Sequence, residues 1–476
     1  MKTIDSLKWV FTTTVLRRLL SFLLFIYIVR VFSRAELGVY REFALILSLA
    51  SLVSMFSFNI FIVVERSKSY FKHGLQFILF SSIIISIVLL SIRSFLAEQY
   101  QHHDLYLYIL YGFWLVIPET LKRLVKSMHE LDRNFKLLSI AETVNVVFYC
   151  ILCLILFAID LKFYYFIIAF YLGNIVELII ISCPIRKELL KTILECLKLK
   201  YIMPLKTVFK GNLSFLGLST TPAVLNTFIA DAPILILGLF FLPSYIGNYF
   251  IAAQLVTVPI SLITYSLMQV LFPAFSLTVR EQLPQKVNDY IRHVIFVMWI
   301  PMLVFGILLK YFSYLIVGIQ DIILIYSIVV VLTLRSLFAL IVNPISTIPN
   351  VLKKPQYELY WSIGSIACIC LAMYLFRNAT FMNVIYLFTG LSIVSLIFYI
   401  IMIYKLIGMP LINMWRLLGK GIVYCMPLML FLVFSDNTDV LFGMVWLVLI
   451  ATISVYGIYK MEMGFFRALL IRVFNK

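Results

Sequence analysis

The stretch WVFTTTVLRRLLSFLLFIYIVRVF, residues 9–32, is long and apolar enough to cross a bilayer, yet it holds two adjacent arginines, Arg17 and Arg18. On a helix, Thr13, Thr14, Arg17, Arg18 and Ser21 fall at i, i+1, i+4, i+5 and i+8, which is one face. At 1.5 Å rise per residue that polar face runs over about 12 Å. A charge at bilayer depth costs roughly 2.5–3.5 kcal/mol even on the lenient insertion scale, so the face is expected to look into protein or water. The run ends in SRAELGVY, residues 33–40, and a related phrase returns as LFFLPSYIGNY, residues 239–249. At the offset of 209 residues, Gly38 aligns with Gly247 and Tyr40 with Tyr249. The chain therefore reads as two related halves, each beginning with this element.

The composition supports a membrane solvent. Of 476 residues, 63% are hydrophobic and 13% charged, and the mean hydropathy is +1.05. No soluble interior hides that much apolar surface. Long apolar runs, rather than alternating ten-residue ones, indicate helices and not a barrel. The first run lacks a small-residue cleavage site after it, so it is expected to be retained as a span. The net charge of +17 is read as basic loops at one membrane face and not as nucleic-acid binding. Cys150 and Cys153 lie inside an apolar helix, where they read as small buried hydrophobes, and no disulfide framework is visible.

About fourteen segments are long enough to span: 9–32, 43–64, 74–96, 105–125, 138–158, 164–183, 212–241, 249–272, 293–309, 322–343, 359–376, 384–403, 421–434 and 440–459. The connections on one side carry 29 of the 39 Lys and Arg residues. By the positive-inside rule that side, with both termini, is cytoplasmic. The outer loops are too short to hold a domain. The expected organisation is an N-lobe over residues 1–184, a basic amphipathic linker helix over 185–210, a C-lobe over 211–403, and two further spans with a basic tail over 404–476. The linker, with Leu189, Ile193 and Leu197 on one face, is expected at the inner membrane surface.

Several other spans carry polar faces. The seventh holds Thr220, Thr227 and Asp231 at i, i+7 and i+11, with Asn226 beside them. Asn226 and Thr227 take the places of Arg17 and Arg18 at the repeat offset. The eighth has Gln254, Thr257, Ser261 and Thr264. The tenth has Arg335, Ser336 and Asn343, and Pro344 invites a kink. The sixth holds Asn174 and Glu177, and the fourth has Glu119 and Arg123 at i, i+4, close enough to pair. Together these faces imply a hydrated cavity between helices.

Two readings of Arg17 and Arg18 stand side by side. They hold an anionic group, because guanidinium forks match phosphate oxygens bidentately. Or they are structural, bound to carbonyls or to a carboxylate such as Glu177. The candidate substrate contacts are Arg17, Arg18, Ser21, Asn226, Thr227, Gln254, Arg335 and Asn343. Asp231 and Glu177 are candidates for proton or sodium coupling, Asp231 having the alternative of pairing with a cavity arginine. QHHD, residues 101–104, is one exposed loop without distant partners, and no metal site is expected. No nucleotide-binding loop, HExxH or GxSxG occurs, so no cofactor is expected and transport is not powered by ATP on this chain.

The opening RRLLSFLLFIYIVRVFSRAELGVYREF resembles the start of polysaccharide flippases of the Wzx type. The run IGNYFIAAQLVTVPISLITYSLMQVLFPAFS, with Pro259 and its helix-ending FPAFS, is similar to their mid-chain region. These flippases belong to the multidrug/oligosaccharidyl-lipid/polysaccharide exporter superfamily. The resemblance implies an all-α membrane fold of two pseudo-symmetric bundles forming a V, around a cationic cavity for an undecaprenyl-pyrophosphate-linked oligosaccharide. It also implies that Arg17 or Arg18 matches a first-helix cavity arginine. A further first-helix arginine of some relatives is absent, since Leu24 stands there.

The expected function is that of a transporter and not an enzyme. It would flip a lipid-linked repeat unit to the outer leaflet of a bacterial cytoplasmic membrane, for O-antigen, capsule or exopolysaccharide synthesis. Its expected partners are the lipid-linked glycan, membrane lipids, and the glycan polymerase and chain-length machinery. The alternatives are a small-molecule/cation antiporter of the same superfamily, which would favour an acidic cavity, and a polymerase or ligase of lipid-linked glycans, which would need a sizeable outer loop.

Overall fold

The structure is a computed structural model. It describes residues 2–65, 69–100, 102–132, 134–160, 162–187, 189–191, 221, 224–225, 227–229, 233–276, 281–317, 321–352, 354, 356–434, 447–452 and 454–456. Asn226, Asp231, most of the expected linker and the basic tail lie outside the described residues.

Helices make up nearly all of what is described. In the first half they are α1 (Lys2–Val31), α2 (Arg34–Met55), α3 (Phe58–Glu65), α4 (Ser69–Gln99), α5 (His103–Gly112), α6 (Val116–Leu131), α7 (Phe135–Ile159) and α8 (Tyr164–Ser182). Then come α9 (Pro243–Ser276), α10 (Leu283–His293), α11 (Trp299–Val317), α12 (Ile322–Ile345), α13 (Ile348–Val351), α14 (Gln356–Leu375), α15 (Phe381–Leu406) and α16 (Leu411–Phe434). Among the described residues, nine helices are long and apolar enough to cross a membrane. Their exposed faces carry large apolar side chains, such as Phe80, Ile83 and Ile87 on α4 and Ile151 and Ile155 on α7, as lipid contact requires.

Two expected spans are broken. The second stops at Phe56 and Ser57, both in the left-handed region with φ 45° and 54°, before α3 resumes. The fourth is divided by a tight turn, Phe113–Leu115, between α5 and α6. Gly112 permits the close packing there, because a methyl group in its place would overlap the Phe43 ring. α6 then continues through residues that read in the sequence as a charged connection.

The chain forms two compact units, Met1–Phe250 and Ile251–Lys476. In the first, α1, α7 and α8 pack side by side and α6 lies against α8, α4, α3 and α2. An apolar core of Phe58, Phe61, Ile62, Leu75, Leu124, Val125 and Ala141 fills one end of that unit. In the second, α12 packs on α11 and α15. Trp299, fully buried, donates its indole N–H to the Leu337 carbonyl at 2.9 Å, which anchors α11 to α12.

The repeated phrases meet each other inside the first unit. Ser33 caps α2 in a capping box with Glu36, the S-x-x-E pattern of SRAE. A methyl group at Gly38 would overlap the Pro243 carbonyl oxygen, and one at Gly247 would overlap the Arg34 carbonyl oxygen. Pro243 and Gly247 are the repeat equivalents of Arg34 and Gly38 at the 209-residue offset, so the contact is reciprocal. Only glycine allows two helix backbones to approach this closely.

Candidate functional site: a charged network inside the first unit

The polar face of α1 does not stand alone. Arg17 donates from Nη2 to Thr14 Oγ1 at 2.8 Å and from Nε to the Thr13 carbonyl at 3.2 Å. Its Nη1 is ion-paired with Glu142, two turns into α7. The other oxygen of Glu142 accepts from Lys126 Nζ of α6 at 2.8 Å. Lys126 also lies 2.6 Å from Glu177 Oε1 of α8. Four helices thus converge through one cation–carboxylate chain.

The chain of contacts continues. Glu177 Oε2 accepts from Asn145 Nδ2 at 2.6 Å and lies 3.8 Å from Lys122 Nζ. Lys122 donates to Asn174 Oδ1 at 2.7 Å and is 2.8 Å from Glu119. Glu119 is also held by Arg123 at 3.1 Å, the i, i+4 pair read from the sequence. Among the described residues the network has four cations, Arg17, Lys122, Arg123 and Lys126, against three carboxylates, Glu119, Glu142 and Glu177. These seven side chains sum to one positive charge. Interior charges survive only when paired and hydrogen-bonded, and each of these is.

Its helical placement explains why these residues meet. Lys122 and Lys126 are one turn apart on α6, Glu142 and Asn145 at i, i+3 on α7, and Asn174 and Glu177 at i, i+3 on α8. α7 begins where α6 ends, and α8 returns to the same end of the bundle. Gly173 lets α8 sit against α7, since a methyl group there would overlap Asn145 Oδ1.

Other expected site residues take other places. Arg18 is exposed, and Ser21 shares a 2.8 Å hydrogen bond with the Tyr149 hydroxyl. Thr227 is half-buried. Gln254, Arg335 and Asn343 belong to the second unit, where Arg335 lies over the Phe388 ring at 5.8 Å and Asn343 is exposed near the end of α12. Asn226 and Asp231 are not described. Of the two readings of Arg17, the carboxylate contact is present, but with Glu142 in place of Glu177.

Sequence reasoning missed Glu142, Lys126 and Lys122. The two lysines read as loop charges, although their i, i+4 spacing was visible. It also missed Glu42 on α2, which is 0% exposed, and neither of its carboxylate oxygens has a hydrogen-bond partner among the described residues. A methyl group at Gly238 would overlap Glu42 Oε1 and press on the Tyr100 ring.

A cavity of about 760 Å³ lies elsewhere in the first unit, between Tyr108, Trp114, Phe163 and Tyr171. Its charged rim is Glu36, Asp104 and Lys162. Two carboxylates there give it the wrong sign for a phosphate, and the rest of its wall is aromatic and aliphatic. Its rim lysine, Lys162, pairs with Asp160 at 2.7 Å, and this contact holds the ammonium above its ordinary pKa.

Helical spans around a charged interior define a multi-pass α-helical membrane protein. More particularly, the chain belongs to the polysaccharide biosynthesis protein family, whose sequence profile matches residues 27–320. No curated protein matches the sequence. Its fold is similar to a solved structure described as lipid II flippase MurJ, inward closed conformation. The TM-score is 0.72 at 13% identity, covering 95% of this chain and 99% of that one. The expected all-α membrane fold and the resemblance to flippase-type exporters are borne out.

Proposed function

We propose that this protein flips an undecaprenyl-pyrophosphate-linked oligosaccharide from the cytoplasmic to the outer leaflet of a bacterial cytoplasmic membrane. The observation that carries the reading is a cation-rich network within the helical bundle of a protein with this family and fold. A polyprenyl tail stays in hydrocarbon without cost. The pyrophosphate and sugars do not, because each buried charge or unpaired hydroxyl costs several kcal/mol without partners.

Arg17, Arg18 and Lys126 supply charge to the pyrophosphate. Ser21, Asn226, Thr227, Gln254, Arg335 and Asn343 are further candidate contacts for the headgroup, and the transport cycle is one of alternating access. The protein is a transporter and not an enzyme, with both termini cytoplasmic. Asp231 and Glu177 remain the candidate acids for coupling the cycle to protons or sodium. The carried glycan serves O-antigen, capsule or exopolysaccharide synthesis, with the polymerase and chain-length machinery downstream.

The test is reconstitution into liposomes with a fluorescent undecaprenyl-pyrophosphate oligosaccharide in one leaflet. Protein-dependent exchange between leaflets is expected. No exchange with several lipid-linked glycans, together with proton-driven export of an organic cation, would overturn the reading.

A further inference from the structure

Among the three carboxylates of the network, Glu142 is held differently. Glu119 is gripped by Lys122 and Arg123 of its own helix, at i+3 and i+4. Glu177 is 3% exposed at its side chain and is anchored by the Asn145 amide as well as by lysines. Glu142 is 29% exposed, and its contacts are with two cations from two other helices, Arg17 of α1 and Lys126 of α6. Among the described residues no neutral donor fixes it.

We infer that Glu142 is an internal counter-ion. It occupies the place that the substrate's pyrophosphate takes between Arg17 and Lys126, and it swings out when the substrate arrives. This deepens the proposed function and rests on it. Three physical points support the exchange.

The first is shape. A carboxylate presents two oxygens in one plane to a guanidinium fork and an ammonium, as one edge of a phosphate does. The second is charge. A pyrophosphate diester brings two negative charges to a network of four cations and three carboxylates. With Glu142 in place the sum would be one negative; with Glu142 withdrawn it is zero. In a low-dielectric interior the balanced arrangement is favoured. The third is release. Without a competing anion the cation pair would hold a dianion tightly, and a carrier has to let go at the far leaflet. A tethered carboxylate that returns as the phosphate leaves keeps Arg17 and Lys126 paired throughout the cycle.

A competitor and a structural strut predict opposite signs, which makes the inference testable. The probe is farnesyl pyrophosphate, titrated calorimetrically against the full chain in nanodiscs, with thermal unfolding followed in parallel. Glu142→Gln keeps the size and removes the charge, and is expected to tighten binding about tenfold, equivalent to roughly 1.4 kcal/mol. Glu142→Asp keeps the charge but is too short to span both cations, and is expected to tighten binding by a smaller factor. Glu177→Gln removes the same charge but leaves Glu142 between Arg17 and Lys126, and is expected to tighten binding less than Glu142→Gln does. In the flipping assay Glu142→Gln is expected to lower KM and kcat together.

Equal or weaker binding in both Glu142 variants, with Arg17→Ala still weakening it, would overturn the counter-ion and leave the phosphate site standing. No binding by the wild type or by either Glu142 variant would overturn the site reading itself, and the inference with it.

Discussion

Glu177 and Glu42 are buried acids in the same unit, 2% and 0% exposed, and their surroundings are opposite. Glu177 sits among Lys126, Lys122 and Asn145, on helices whose spacing brings charge to charge. Glu42 sits where α2 meets the turn at Gly238, against the Tyr100 ring, with neither oxygen hydrogen-bonded among the described residues. One region is organised by electrostatics and the other by close approach of backbones. Arg34, Gly38 and Glu42 fall at i, i+4 and i+8 on one face of α2, and all three face the segment around Gly238–Gly247. The two regions should therefore fail under different substitutions.

The largest expected effect is at the glycine contact. Gly38→Leu or Gly247→Leu forces a side chain into a carbonyl group and is expected to cost about 4 kcal/mol or more, seen as loss of folded protein after detergent extraction. Lys126→Ala comes next. It strips a shared cation from Glu142 and Glu177 and is expected to destabilise by about 3 kcal/mol in thermal unfolding. The paired acids then give a direct contrast. Glu177→Gln should lower the unfolding temperature, while Glu42→Gln should leave it unchanged or raise it, since among the described residues no cation loses a partner. Equal losses in both would break the comparison. The smallest effect is at Tyr149→Phe, which removes the hydrogen bond to Ser21 and is expected to cost about 1 kcal/mol or less.

The fold was largely legible because span length and the Gly-x-Tyr repeat, LGVY at 37–40 and IGNY at 246–249, each carry a physical signal of their own. So was the α1 face, whose Thr13, Thr14 and Arg17 do interact with one another. The Glu119–Arg123 pair was legible for the same reason, as a contact within one helix. The network beyond it was not. Glu142 lies 125 positions from Arg17, and no local pattern announces a pairing that only the packing of α1 on α7 creates. Lys122 and Lys126 were hidden by their composition, because a charge-rich stretch reads as a loop until its i, i+4 spacing is given more weight. The break at Phe56 and Ser57 had no signal at all, since left-handed backbone is foretold by Gly or Asn and neither is there.

The central claim is that the α1 network handles the pyrophosphate. The most direct measurement is the leaflet exchange rate of a fluorescent undecaprenyl-pyrophosphate oligosaccharide in liposomes, comparing wild type with Arg17→Ala and Lys126→Ala at equal amounts of folded protein. The account predicts exchange that is dependent on the wild-type protein and falls at least tenfold in both variants. Undiminished exchange in both would contradict the assignment of the network as the substrate site.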